Sequence, residues 1–319
     1  MFKVRIGVYI KGILSVLTMA LIGLTGSQVF AKRGFYKGPM LTSSTNNEGT
    51  SRFYNTPQDF KPNASGIRLV YFGGQIISQV KVVTVFWNKD VKKEIQTEIP
   101  NFYAEFVNSH HIDWLTEYNT NITAINGRAG TNQSFSRGQM IGTVLLNPSQ
   151  TNHEITDEQI QSEILYQLDQ QKLPTPDANT LYAIHFPGNI SINADGSMSC
   201  VAFGGYHNGF KQAKYGDIFY TVIPECFSGS LDANASFNYT TVVASHEVIE
   251  AITDAFPTPG DKPSYPQAWN TTDGYEIADV CTYASATLKG TKRSYAISSE
   301  WSNKRDKCYD GTPDSTGTN

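Results

Sequence analysis

Residues 245–254 read Ser-His-Glu-Val-Ile-Glu-Ala-Ile-Thr-Asp, and no other part of the chain constrains its fold as tightly. On a helix, positions four apart share a face. His246, Glu250 and Asp254 therefore align, with Glu247 beside His246, while Val248, Ile249, Ile252 and Ala255 occupy the side that suits a core. One helix thus offers an imidazole and several carboxylates from a single stripe. The pattern His-Glu-x-x-Glu is that of a metal-dependent hydrolase helix, with a carboxylate where the common motif has its second histidine. Zinc accepts imidazole nitrogen and carboxylate oxygen, and a catalytic zinc leaves one position for a water whose pKa it lowers. His246 and Glu250 are the candidate ligands, and Glu247 is the candidate general base. An anionic second ligand weakens the Lewis acid, which brings in calcium or manganese as alternatives to zinc. The same spacing also fits an amphipathic helix with a solvated acidic face and no ion.

A third ligand has to come from another segment. Gly274–Cys281 carries Glu276 and Asp279. Three apart, they share a face only in a helix or turn; in a strand just one could serve. Asp254 is a rival ligand, or a group that orients His246, or a cap on the turn before Pro257. His207 follows Phe203-Gly-Gly-Tyr206 and reads as part of a glycine-rich loop. Either His207 or Tyr206 is placed to stabilise an oxyanion. His110, His111, His153 and His185 have no motif around them.

The chain begins with Lys3, Arg5 and Lys11, an apolar run over residues 12–25, and Val29-Phe30-Ala31. This predicts a secretory signal at 1–31, cleaved after Ala31, because the apolar run is short for a membrane span. The mature chain is then expected outside the cell or in a periplasm, with no membrane contact. An oxidising compartment predicts that Cys200, Cys226, Cys281 and Cys308 pair. The sequential pairing, Cys200–Cys226 and Cys281–Cys308, is favoured of the three possible, since it closes two short loops flanking the His246 helix. No Cys-x-x-Cys occurs, which argues against a thiolate zinc site. The net charge of −4 becomes more negative once the basic signal is removed, which argues against a nucleic-acid partner. The sequence lacks a Gly-x-Ser-x-Gly elbow, a phosphate loop and a dinucleotide fingerprint.

Residues 32–66 read as a polar, flexible leader, either a plain extension or a prosegment, and 311–319 as a frayed tail. Between them, 67–310 is expected to be one monomeric domain. Strands are predicted at Ile67–Phe72, Gln75–Trp87, Met140–Leu146, Thr180–Phe186 and Asp217–Ile223. A helix carrying Val91, Ile95, Ile99, Phe102 and Phe106 is expected to break or restart at Pro100. Ile112–Tyr118 reads as a short helix. Thr156 to Gln159 forms a capping box that opens a helix with Ile160, Ile164 and Leu168 on one face. The alternation points to a layered α/β (α+β) domain with a mixed sheet.

Four segments carry a family resemblance: Cys200 with Gly205-Tyr206-His207, Ser245–Asp254, Glu276-Ile-Ala-Asp279-Val-Cys281, and Trp301-Ser-Asn303 with Cys308. They resemble a group of secreted microbial proteins with a zincin-like His-Glu-x-x-Glu helix and, more distantly, the plant EXORDIUM-like (phosphate-induced) proteins. The similarity spans roughly 67–310. The family pattern has a proline directly after Thr-Asp, whereas here Asp254 is followed by Ala255-Phe256-Pro257. The resemblance implies a zincin-like metallopeptidase-type domain with a disulfide-stapled C-terminal part. The leading expectation is a secreted zinc metallopeptidase acting on peptides or proteins. The alternative is a non-catalytic EXORDIUM-like binding or signalling protein on the same fold, and a glycan-active protein stands third.

Overall fold

Several short apolar segments, rich in Val, Ile and aromatic residues, supply the strands of a computed structural model that describes residues 66–227, 233–257, 263–281 and 285–312. The predicted signal, almost all of the leader and the tail beyond 312 lie outside the described residues. In chain order the first strands are β1 (Val70–Tyr71), β2 (Lys81–Phe86), β3 (Gln139–Leu145), β4 (Glu154–Thr156) and β5 (Thr180–Phe186). Then come β6 (Ser191–Ala194), β7 (Ser197–Met198), β8 (Tyr206–Gln212), β9 (Gly216–Pro224) and β10 (Trp269–Asn270). The last are β11 (Ser285–Lys289), β12 (Ser294–Ser298), β13 (Glu300–Ser302) and β14 (Lys307–Tyr309). The helices are α1 (Lys93–Phe106), α2 (His110–Asp113), α3 (Asp157–Asp169) and α4 (Ala233–Thr253).

The main sheet has the order β3-β2-β5-β9-β8. Four strands run parallel, and β8 lies antiparallel to β9 at the edge. A parallel sheet covered on both faces needs apolar residues at nearly every position, and all seven residues of β5 are buried. Val82, Phe86, Leu181, Ala183 and Phe219 face α1 and α4. Val83, Val85, Tyr182, Ile184, Tyr220 and Val222 face α3. The result is a helix–sheet–helix sandwich, a mixed α/β architecture.

Local signals were obeyed where packing agreed with them. Thr156 and Gln159 close the reciprocal capping box at the start of α3. The helix expected to break at Pro100 instead runs through it. The missing N–H costs one bond, but Ile95, Ile99, Phe102, Tyr103 and Phe106 anchor both halves in the core. The strand expected over Gln75–Trp87 begins only at Lys81.

The C-terminal hairpins brace α4. The Thr241 hydroxyl donates to the Ala296 carbonyl (2.7 Å), and the Ser298 N–H donates to Ser245 Oγ (2.8 Å). Both disulfides follow the sequential pairing, Cys200–Cys226 and Cys281–Cys308. Among the described residues no helix is long and apolar enough to cross a membrane.

Candidate functional site

Helix α4 is buried on every side over its last three turns. Its acidic face is not solvated: His246, Glu247 and Glu250 are all fully buried beneath the hairpins and the edge strand β8. Burying several ionisable groups is unfavourable unless they are paired, protonated or bound to an ion. This face therefore depends on such compensation.

Two other segments converge on it. After Ile277 the chain turns into a short 3-10 helix, Asp279–Cys281, held by the Trp301 N–H to the Ile277 carbonyl (2.9 Å) and by the Cys281–Cys308 bridge. In this turn Glu276 and Asp279 both face the site but meet different partners. Asp279 Oδ1 lies 3.6 Å from His246 Nε2, which is itself 3.0 Å from Glu250 Oε1. The Asp279 N–H donates to the same Glu250 oxygen at 3.0 Å. Glu276 Oε1 instead lies 3.4 Å from His207 Nε2. Of the two acids, Asp279 is thus the one that completes a ligand set with His246 and Glu250.

The second segment is β8, which a run containing Asn and Gly disguised as a loop. Pleating sends alternate residues to opposite faces. His207 points at α4, and Tyr206 points away into the α3 layer. There the Tyr206 hydroxyl donates to Asp157 Oδ1 at 2.5 Å, and Tyr220 donates to the same oxygen at 2.8 Å. An oxyanion role for Tyr206 at the His246 face is therefore corrected: the sheet itself stands between them.

His207 is also differently employed. Its Nε2 lies 3.0 Å from the backbone carbonyl of Asp254, which can only accept, so Nε2 carries the proton. That leaves Nδ1 as a lone-pair donor, 3.7 Å from Glu247 Oε2 and 3.9 Å from Glu250 Oε2. The N–H needed for an oxyanion is already used, and the imidazole presents a ligand atom instead. Asp254 is no ligand either. Its carboxylate accepts from the Ala268 N–H (2.7 Å) and from Asn270 Nδ2 (2.6 Å), while its carbonyl orients His207 rather than His246.

The electrostatics match this crowding. Burial opposes a charge on His246, but Glu250, Asp279 and Glu247 outweigh it and raise the imidazole well above its ordinary value. Burial pushes Glu250 up to about 7, with the Asp279 charge adding to it and His246 opposing. Burial, then the neighbouring carboxylates, raise Glu276 well above the usual range. Burial lowers His207 to about 3, keeping it neutral. His207 Nδ1 and Glu250 Oε2, both buried and without a hydrogen bond, lie 3.9 Å apart. Two orphaned acceptors facing one another fit a cation.

Two further buried residues carried no sequence signal. Tyr103, on α1, places its hydroxyl 3.0 Å from His185 Nε2 on β5. Burial and then the charge of Glu247 hold its phenol protonated far above the ordinary range. Burial depresses His185 to about 3. A tyrosine and a histidine on the inward faces of separate elements look like ordinary core residues until the fold brings them together.

Gly205, just before β8, is shaped by the same crowding. A Cβ there would stand 2.6 Å from Val243 Cγ1 and 3.0 Å from Glu247 Oε1. Gly205→Ala is expected to cost about 1–3 kcal/mol through overpacking, read by denaturant unfolding. A variant as stable as the parent would show that α4 can move away.

Comparison with family models, with curated proteins and with solved structures gives no match.

Proposed function

We propose that this chain is a secreted, metal-dependent hydrolase of zincin-like type that acts on peptides or proteins. The observation that carries the reading is the convergence of His246, Glu250 and Asp279, whose ligand atoms all lie within 4.8 Å of one another. They come from α4 and from a turn fixed by a disulfide, so the set is preorganised rather than gathered by a flexible loop. The mixed sheet with its antiparallel edge strand beside the helix is in keeping with a zincin-like domain. The paired cysteines suit an extracellular protein.

His246, Glu250 and Asp279 would hold the ion. A divalent ion there supplies Lewis acidity and makes water a stronger acid. Glu247 takes up a proton at its carboxylate, where it faces His207 and the Glu250 side of the site. Asp254, through its carbonyl, and Glu276 hold the His207 ring in one tautomer. The mixed nitrogen and oxygen donor set suits zinc or manganese, and the surrounding carboxylates keep calcium as an alternative.

A second reading rests on burial. Glu247 and Glu250 are fully enclosed, and exposure at the site is confined largely to Asp279, whose side chain is 17 % exposed. A cavity of about 550 Å³ lies elsewhere, against Arg68, Tyr71, Glu117, Ile125, Trp269 and Lys304. An enclosed ion with no substrate path describes a non-catalytic, EXORDIUM-like binding or signalling protein.

The test is direct. The mature protein is purified, its metal is quantified by mass spectrometry, and casein and a peptide library are offered with and without chelator. Bound metal with chelator-sensitive cleavage supports the hydrolase. Bound metal without turnover favours the second reading, and a chain that takes up no divalent metal defeats the hydrolase.

A further inference from the structure

We infer that the site is built for two divalent first-row cations, with Glu250 bridging them through its two oxygens. The inference rests on the metal-site reading above and extends it. The first ion belongs to His246 Nε2, Glu250 Oε1 and Asp279 Oδ1. The second belongs to a separate buried set, His207 Nδ1, Glu247 Oε2 and Glu250 Oε2, whose ligand atoms also lie within 4.8 Å of one another.

Two independent features support the second position. The first is His207 itself. A metal-bound imidazole characteristically donates its far N–H to a carbonyl or carboxylate, which fixes the tautomer and turns the other nitrogen to the ion. His207 does this: Nε2 donates to the Asp254 carbonyl at 3.0 Å, with Glu276 Oε1 at 3.4 Å, and the buried Nδ1 has no hydrogen bond.

The second feature is spacing. Donors at about 2.0–2.1 Å from a tetrahedral ion stand about 3.4 Å from each other. The two edges from His207 are 3.7 and 3.9 Å and the two from His246 are 3.0 and 3.6 Å, so each histidine already stands near that edge length from its carboxylates. The oxygens of Glu250 divide between the sets. A carboxylate shared in this way is what two-metal centres use to keep their ions about 3.5–4 Å apart.

The experiment titrates the full mature chain, metal-free and with disulfides intact, with Zn²⁺ alone and separately with Mn²⁺ alone. The expected result is two equivalents per chain in the wild type, with spin-coupled Mn²⁺ resonance rather than the six-line signal of isolated ions. His207→Ala is expected to keep one equivalent and lose the coupling; His246→Ala likewise keeps one. The wild-type count needs no variant to fold. One equivalent in the wild type, lost in His246→Ala and untouched in His207→Ala, overturns the second ion and leaves the first standing. One equivalent lost in both variants also overturns it, since a single ion would then span both histidines. No equivalent at all removes the underlying metal-site reading.

Discussion

Glu300→Ala is expected to destabilise the protein by about 3–5 kcal/mol, the usual result of stripping one partner from a buried ion pair. Glu300 and His111 are both fully enclosed, with Oε2 and Nε2 2.7 Å apart. The other ends are tied as well: His111 Nδ1 lies 2.7 Å from the Asp310 carbonyl, and Ser298 donates to Glu300 Oε1 at 2.6 Å. The chain of contacts continues to Ser245, next to His246, so the pair joins α2 and the last hairpin to the site helix. Without the carboxylate, an imidazole stays sealed in the core with nothing to favour its charge. The loss should depend on pH. Burial opposes the His111 charge, but Glu300 outweighs it and raises the folded-state pKa above the ordinary value of 6.5. A raised folded pKa adds stability that is complete below the unfolded value and fades as pH climbs through the folded one. The variant loses this contribution, so the gap between the two proteins should widen from pH 8 to pH 5.5. Denaturant unfolding of both proteins at each pH measures it, and the difference cancels groups common to both. A gap that is constant or under about 1 kcal/mol would mean that the pair is not charged in the fold.

His111 and Glu300 also show where sequence reading ran out. Their contact joins distant parts of the chain, and neither residue sits in a local pattern. The one available hint was a polar Ser-x-Glu within an otherwise buried run near Trp301. The His246 helix was legible because its message is local: a period of four residues survives without knowledge of the fold. The disulfide pairing was legible from the short loops it closes. Choosing between Glu276 and Asp279 needed the turn at 279–281, since three residues of separation mean different things in a strand and in a helix. The placement of His207 on a strand was hidden for a related reason. Tyr-His-Asn-Gly reads as a loop by propensity, and pairing with β9 overrode that preference. Once it is a strand, alternation alone separates Tyr206 from His207 and gives them unrelated roles. Asp254 shares the helical stripe in projection, yet it lies beyond the last helical residue, where the neighbouring backbone at Ala268 claims its carboxylate.

For the hydrolase proposed above, Glu247→Gln is expected to lower peptide hydrolysis by about 10²–10⁴-fold, the range general-base catalysis supplies, with metal still bound at His246. The substitution keeps the volume that fits against Gly205 and removes only the capacity to accept a proton. The helix should hold its position, because Val243, Val248 and Ile249 anchor it in the core independently of this side chain. Metal content and turnover have to be measured on the same preparation, because each possible combination says something different. Metal retained with turnover lost assigns the base. Metal retained with full turnover removes Glu247 from the chemistry and shifts attention to Tyr103, whose protonated hydroxyl lies within the field of Glu247. Loss of the ion at His246 would mean that the carboxylate at 247 holds metal there rather than protons, a role its placement opposite His207 Nδ1 argues against. The amide oxygen is a weaker ligand than a carboxylate, so the same variant should also bind a second equivalent less tightly. A base role and a ligand role for Glu247 are therefore separable: the first shows in turnover at saturating metal, the second in the metal concentration needed to reach saturation.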